Sequence, residues 1–547
     1  MNRVRVTKTS AKKPLFGGSG FSLVGCAATL LCLSCGGGSG SSSPDPSGSS
    51  SSAPAVTGET PLSVSDVTNV VQNAVLSVNA PMVVAVADRA GNVLAVFETP
   101  GAPTTSIGNF GQTISSPDLA VGLARTAAFF SNDQAPLSSR TVRFISGIHF
   151  PPGVAGTPNA DLYGIENTNR GCTLSTNYLP GQMLNPSLSL EGTFGPGIIT
   201  GKANVDDSDP TAVNPGGVPL FKGGAVGGVG VVSTSTAIAE YAAFSAATNS
   251  NLLPSQAQLP LPGVVVIGGI AVPFVDQTTL PAGASPGNAA TFTAGTFSVP
   301  AKAGVLPPQN YLVGPNAGSV LSASQVNEII MTAVATAKNT RAVIRLPPDS
   351  PAAMTIAVSD LDGTLLGLYR MPDGTIFSTD VAASKARNVV WFTTVGGSDL
   401  PGVPKGTAVT NRTISFGAQP LFPPGIDGSA NGPFFPLYEY DTANPCTQGP
   451  SSAAFPPNTH NMSGVVFFPG SLPLYLNGAL VGGLGVSGDG VDQDDFVTAG
   501  AVDAACGDGG PCGVPSFQAP TNIRADQFVI DNVRLPYQKF PRNPTIN

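Results

Sequence analysis

Apolar residues return at helical spacing twice along the chain, each time in the same local setting. Val67, Val70, Val71, Ala74, Val75 and Val78 fall on one helix face, and Ser63 with Asp66 gives the capping pattern that starts it. Val326, Ile329, Ile330, Ala333, Val334 and Ala337 repeat that face behind Ser322 and Gln325. The period then shortens to that of strands. Val83–Phe97 and Thr355–Tyr369 each read as two β-rich runs around a turn, marked by Asp88 and Gly91 or by Asp360 and Gly363. A second helix follows in both copies, Leu123–Phe130 facing Lys385–Phe392, with Trp391 opposite Phe129.

The longest correspondence joins VPLFKGGAVGGVGV, Val218–Val231, to the start of LPLYLNGALVGGLGVSGDGVDQDDF, Leu472–Phe496. Pro219 aligns with Pro473, Phe221 with Tyr475, Gly224 with Gly478 and Gly230, after one gap, with Gly485. Short apolar strands around a glycine turn predict a β-hairpin, and the glycines beyond the turn predict close approach of another backbone or a ligand. Ala-rich helical segments follow near Ala237–Ala247 and Phe496–Ala505, and the tails Val266–Phe274 and Val529–Tyr537 also correspond. The repeat is therefore near 260 residues. Its boundaries are read as 61–275 for the first copy and 321–547 for the second with its C-terminal extension, joined by a linker over 276–320. Within the copies, roughly 150–216 and 422–470 are long Pro-, Gly- and Asn-rich insertions, so they are either functional or wrap the surface.

Composition adjusts this picture in three ways. Gly and Pro number 66 and 52 of 547 residues, which predicts a loop-rich fold. Net charge is −8, and the first 34 residues hold five basic side chains and no acidic one, so the remainder stands near −13. That balance argues against binding nucleic acid through its phosphates. The basic start and the apolar run Leu15–Leu33 make residues 1–34 a signal peptide, and 35–60 a Gly/Ser-rich tether. Its cysteines resemble a bacterial lipoprotein processing site. Cys26 has the better preceding sequence; Cys35 has the longer apolar run and the tether directly after it, and is preferred. The implied location is the bacterial cell envelope, on the outer-membrane or periplasmic side, or outside the cell. Export permits disulfides, and Cys506 with Cys512 closes a short local loop. Cys172 and Cys446 lie at matching points of the copies, where they either meet across a pseudo-symmetric contact or stay free.

The order helix, hairpin with V-x-D-x-x-G, helix with an A-R-T-A-A core (Ala124–Ala128) and G-x-x-G-G-x-G-V-S-G resembles the GlcG, HbpS and PduO C-terminal family. The strongest stretch is Gly482–Asp495. The resemblance covers about half of each copy, and the insertions have no counterpart in it. It implies an α/β fold of two tandem profilin-like domains, each a mainly antiparallel sheet flanked by helices, forming a pseudo-dimer within the chain. It also implies haem binding, as several members bind haem. The first copy departs from the pattern, reading Val232-Ser233-Thr234-Ser235-Thr236 where the second has Gly488 and the acidic cluster. A ligand held by those groups in the second copy has no equivalent seat in the first.

Haem needs an apolar slot, an axial ligand and, as a rule, cations for its propionates. The chain's two histidines, His149 and His460, are the candidate ligands, and the recurring Arg125 and Arg387 the candidate partners for a carboxylate. For each the competing reading is structural: a satisfied histidine, or an arginine bonded to a loop carbonyl. Asp489, Asp492, Asp494 and Asp495 suit Ca²⁺ by chemistry but not by EF-hand spacing, so helix capping is the expectation and no metal is assigned. Gly483–Gly488 matches G-x-G-x-x-G formally, but a hairpin precedes it instead of a βαβ unit. H-E-x-x-H, P-loop and G-x-S-x-G motifs are absent, so no catalytic residue is named and binding is expected in place of catalysis. The reading is an exported, lipid-anchored protein that binds haem or a comparable small ligand. Its alternative is an envelope structural or interaction protein built from a rigid tandem repeat.

Overall fold

Two five-stranded antiparallel sheets with one strand order account for the duplication. The computed structural model describes residues 58–174, 197–254, 263–454, 461–503 and 516–546, which belong to one compact unit. The signal segment, Cys35, His460 and the Cys506/Cys512 pair lie outside the described residues.

In the first repeat α1 (Val64–Ser77) leads into β1 (Met82–Asp88) and β2 (Val93–Glu98), then α2 (Ser116–Phe130) and α3 (Ser139–Phe144). Beyond the insertion come β3 (Gly217–Phe221), β4 (Ala225–Ser233) and α4 (Thr236–Asn249). The stretch read as a linker supplies β5 (Thr296–Val299) to this sheet and β6 (Asn310–Val313) to the next. The second repeat runs α5 (Ala323–Lys338), β7 (Thr355–Ser359), β8 (Leu365–Arg370), α6 (Phe377–Thr393), α7 (Asn411–Gly417), α8 (Phe435–Ala443), β9 (Ser471–Leu476), β10 (Ala479–Ser487) and α9 (Val491–Asp503). The sheets read β3-β4-β1-β2-β5 and β9-β10-β7-β8-β6. Ser63 and Ser322 close the expected capping boxes on α1 and α5.

Each sheet lies between a helix pair, α1 with α4 or α5 with α9, and a single buried helix, α2 or α6. The duplicated glycines explain how that helix sits so close. A Cβ at Gly228 would fall on the Ala124 carbonyl oxygen, and one at Gly230 on that of Ala120. Gly483 and Gly485 stand in the same relation to the Ala386 and Ala382 carbonyls. Small residues on both sides bring helix backbone against strand backbone, and any larger residue would push the layers apart.

The insertions cross between the repeats with equivalent residues meeting. The Tyr163 and Tyr438 rings stack at 5.0 Å, Asn167 Nδ2 donates to Thr442 Oγ1 at 3.1 Å, and Arg170 donates to the Asp441 and Thr442 carbonyls. Cys172 and Cys446 are joined in a disulfide, which selects the first of the two alternatives left by the sequence. This bridge closes a loop over a sequence separation of 274 residues, long enough for a large effect on the unfolded chain. Cys172→Ala with Cys446→Ala is expected to lower stability by about 2–5 kcal/mol. Urea unfolding checks this, and an unchanged midpoint in the double variant would show that the bridge carries no stability.

Candidate functional site

The strand β10 leaves the sheet through Ser487-Gly488-Asp489-Gly490 and turns into α9, at the point where the first repeat packs against the second. Phe130, at the end of α2, stacks on Phe377, at the start of α6, with centroids 4.1 Å apart. Ile145 and Leu162 from the first repeat and Ile344 and Val491 from the second complete an apolar cavity of about 40 Å³. Asp494, 2 % exposed, also lines it. Its Oδ2 accepts from Lys385 Nζ at 2.9 Å, whereas its Oδ1 has no hydrogen-bond partner among the described residues. Lys385 is fully buried and also donates to the Val486 carbonyl at 2.8 Å. Burial pushes the Asp494 carboxyl up to about 7 against the pull of Lys385, and lowers the lysine.

The acidic cluster expected to cap α9 instead works through ion pairs. Arg412 bonds Asp495 and, at 2.6 Å, Asp492; Asp489 pairs with Arg345 and accepts from the Ala353 amide at 2.7 Å. The buried positions of these carboxylates bring cations from distant segments within reach, and such a pair outweighs exposed helix-end amides. The Arg412–Asp495 pair has a counterpart in the first repeat, where Arg140 holds Glu240 at 2.7 Å. A second network joins the repeats. Carboxylate oxygens of Glu59, Asp133 and Asp373 converge within 4.8 Å of one another, and the buried Arg89 guanidinium reaches them at 3.2, 3.1 and 2.6 Å. Arg345 also binds Asp373.

The residues named from the sequence do not meet in one slot. His149 lies between loops of the two repeats, with Nδ1 2.9 Å from Ser208 Oγ and Nε2 2.8 Å from Asp427 Oδ1. Arg125 Nε donates to the Gly91 carbonyl and Arg387 Nε to that of Gly363, each at 2.9 Å. Arg387 also holds the Thr173 carbonyl at 2.8 Å and that of Leu174. The turns after Asp88 and Asp360 are thus pinned to α2 and α6 by equivalent arginines. The sequence did not single out Arg89, Arg345, Asp373 or Lys385.

On the other side of Asp161 and Val491 an open groove of about 320 Å³ runs along the repeat boundary. Its walls include Tyr163, Phe416, Phe467 and Pro424, and Arg412 and Lys539 line it. Arg412 is committed to its two aspartates. Lys539 is 67 % exposed in its side chain and touches Asp492 at 2.8 Å, a surface pair that other anions can displace. The Tyr163 hydroxyl is buried beside that of Tyr438 on the stacked ring.

With this geometry in view, residues 321–503 match the family model described as "Haem degrading protein HbpS-like". The second repeat is an HbpS-like domain, and the first has its strand order. No curated protein matches the chain. Among solved structures, Klebsiella pneumoniae protein ORFY is 18% identical over 34% of this chain and 93% of its own, with a TM-score of 0.21. A PduOC–haem complex is 22% identical over 36% and 98%, with a TM-score of 0.22. A double mutant of Streptomyces reticuli HbpS is 17% identical over 35% and 90%, with a TM-score of 0.19.

The repeat boundary also holds carboxyls that burial pushes up. Asp441, which accepts from the Val465 amide at 2.9 Å, is pushed up to about 8, and Asp380, which accepts from the Asn169 amide at 2.6 Å, to about 6. An unfolded aspartate loses its proton near pH 4. Between that value and the folded one the native state holds the extra proton, so stability falls as pH rises. The melting temperature is expected to drop from pH 5 to pH 8, and Asp441→Asn to flatten the profile. A melting temperature that climbs over this range would contradict the assignment.

Proposed function

We propose that this is an exported, lipid-anchored binding protein whose ligand is haem, held at the groove between the repeats. The observation that carries the reading is the match of residues 321–503 to the HbpS-like family. The groove supports it in three respects. Its aromatic and proline walls suit the face of a porphyrin, Lys539 can exchange its surface pair for a propionate, and Tyr163 brings a phenol oxygen whose neighbour is the Tyr438 hydroxyl. Haem bound there would supply a redox-active iron. Arg125 and Arg387 hold turn carbonyls in this reading, and His149 holds two loops together. Only the second repeat carries the acidic cluster, so the first acts as the structural half.

Haemin added to the purified protein is expected to give a saturable Soret band. Tyr163→Phe, which keeps the stacked ring, should shift or remove it; Lys539→Ala should weaken binding several-fold; and His149→Ala should leave the spectrum unchanged. Absence of the band, or its loss in His149→Ala alone, would overturn this proposal. Lipid attachment at Cys35 is tested by mass spectrometry of the mature N-terminus, where an unmodified chain would remove the anchor.

A further inference from the structure

The duplication supplies an internal control for the cavity beside Phe130 and Phe377. Residue by residue, Leu123 of α2 corresponds to Lys385 of α6, as Ala124 does to Ala386, each of the alanines lying under the equivalent glycine of its sheet. The register of β4 and β10 likewise sets Val232 against Ser487, and so Ala239 against Asp494. Where the first repeat has a buried Leu and Ala, the second has a buried Lys and Asp. Fold and layer spacing are the same in both, so the sheet does not require an ion pair at this place. Taking two charges out of water is seldom more favourable than packing two apolar groups.

The surroundings also differ. In the first repeat Leu123 and Ala239 line an open depression of about 240 Å³. In the second, the equivalent depression is roofed by Phe130, Ile145 and Leu162 of the first repeat, which leaves the smaller apolar cavity. Asp494 is at its wall with one oxygen bonded to Lys385 and the other without a partner among the described residues. Ser487 and Asp161 also line it, and a mostly apolar pocket with a few placed polar groups is the usual form of a small-molecule site.

We infer that this cavity binds a small neutral molecule with an aliphatic body and one hydroxyl donor, which Asp494 Oδ1 accepts while Lys385 fixes the carboxylate. Neutrality follows from the pair, which already sums to zero charge; a charged guest would leave a net charge buried. Size follows from the volume. About 40 Å³ exceeds the roughly 10–15 Å³ that one water needs and falls short of the roughly 150 Å³ cavity that takes benzene. Scaled by the six heavy atoms of benzene in that cavity, about 40 Å³ takes about two, so methanol satisfies both limits. The site is separate from the haem groove, and its test is independent of haemin.

The probe is methanol, titrated into the purified protein and followed by methyl resonances of Ile145 and Ile344, with melting temperature as a second readout. Saturable shifts at both methyls and a rise in melting temperature are expected. The double variant Lys385→Leu with Asp494→Ala copies the first repeat's own solution, so it should fold, and its affinity for methanol should be at least tenfold lower. Ile344→Phe, which fills the space and keeps the ion pair, should abolish binding. The inference is overturned by linear, non-saturating shifts in the unaltered protein. Equal affinity in the double variant, or binding that survives Ile344→Phe, would overturn it as well.

Discussion

Contact of backbone against backbone between the central helix and the sheet is the constraint on which both halves of the molecule depend. Gly228 and Gly230, and again Gly483 and Gly485, lie directly beneath carbonyl oxygens of α2 and α6. Nothing with a Cβ can occupy those positions without a shift of the layers. The short separation lets Arg125 and Arg387 reach back from their helices to the turns of the first hairpin, which fixes the helix along its axis as well as across it. The ends of α2 and α6 then meet at Phe130 and Phe377, and the repeat boundary is built around that contact.

Because this constraint is written in small residues at fixed spacing, much of the fold was legible in the sequence. The G-G-x-G runs, the capping boxes at Ser63 and Ser322 and the Asp-to-Gly turns all act within a few residues, so their consequences are local and periodic. The antiparallel sheets, their shared order and the pseudo-dimeric arrangement followed. The linker was less transparent. Thr296–Val299 and Asn310–Val313 pair with the sheet edges, and at four residues each, within a Pro-, Gly- and Ala-rich stretch, they are too short to stand out as strands.

The boundary between the repeats was harder to read, for a physical reason. Arg89 meets Asp373 across 284 positions and Arg345 meets Asp489 across 144, so neither pairing leaves a local pattern. The acidic run after Gly488 looked like the start of a helix, where carboxylates are favoured by exposed amides. It is one, α9, but its buried carboxylates pair with cations: each of Asp489, Asp494 and Asp495 found one brought from elsewhere in the chain. A difference between the copies was nonetheless visible in the alignment. Lys385 stands where the other copy has Leu123, and a charge in place of a core residue marks a place where the halves diverged in chemistry.

The disulfide and the connector together make a ring of covalent bonds through both halves. Val305, in the stretch between the two edge strands, is 53 % exposed and within reach of a protease. A single cleavage there would yield two polypeptides that still migrate as one under oxidising conditions, because Cys172 remains bonded to Cys446. Each fragment would keep its own edge strand, so nicking and dissociation are uncoupled events in this architecture.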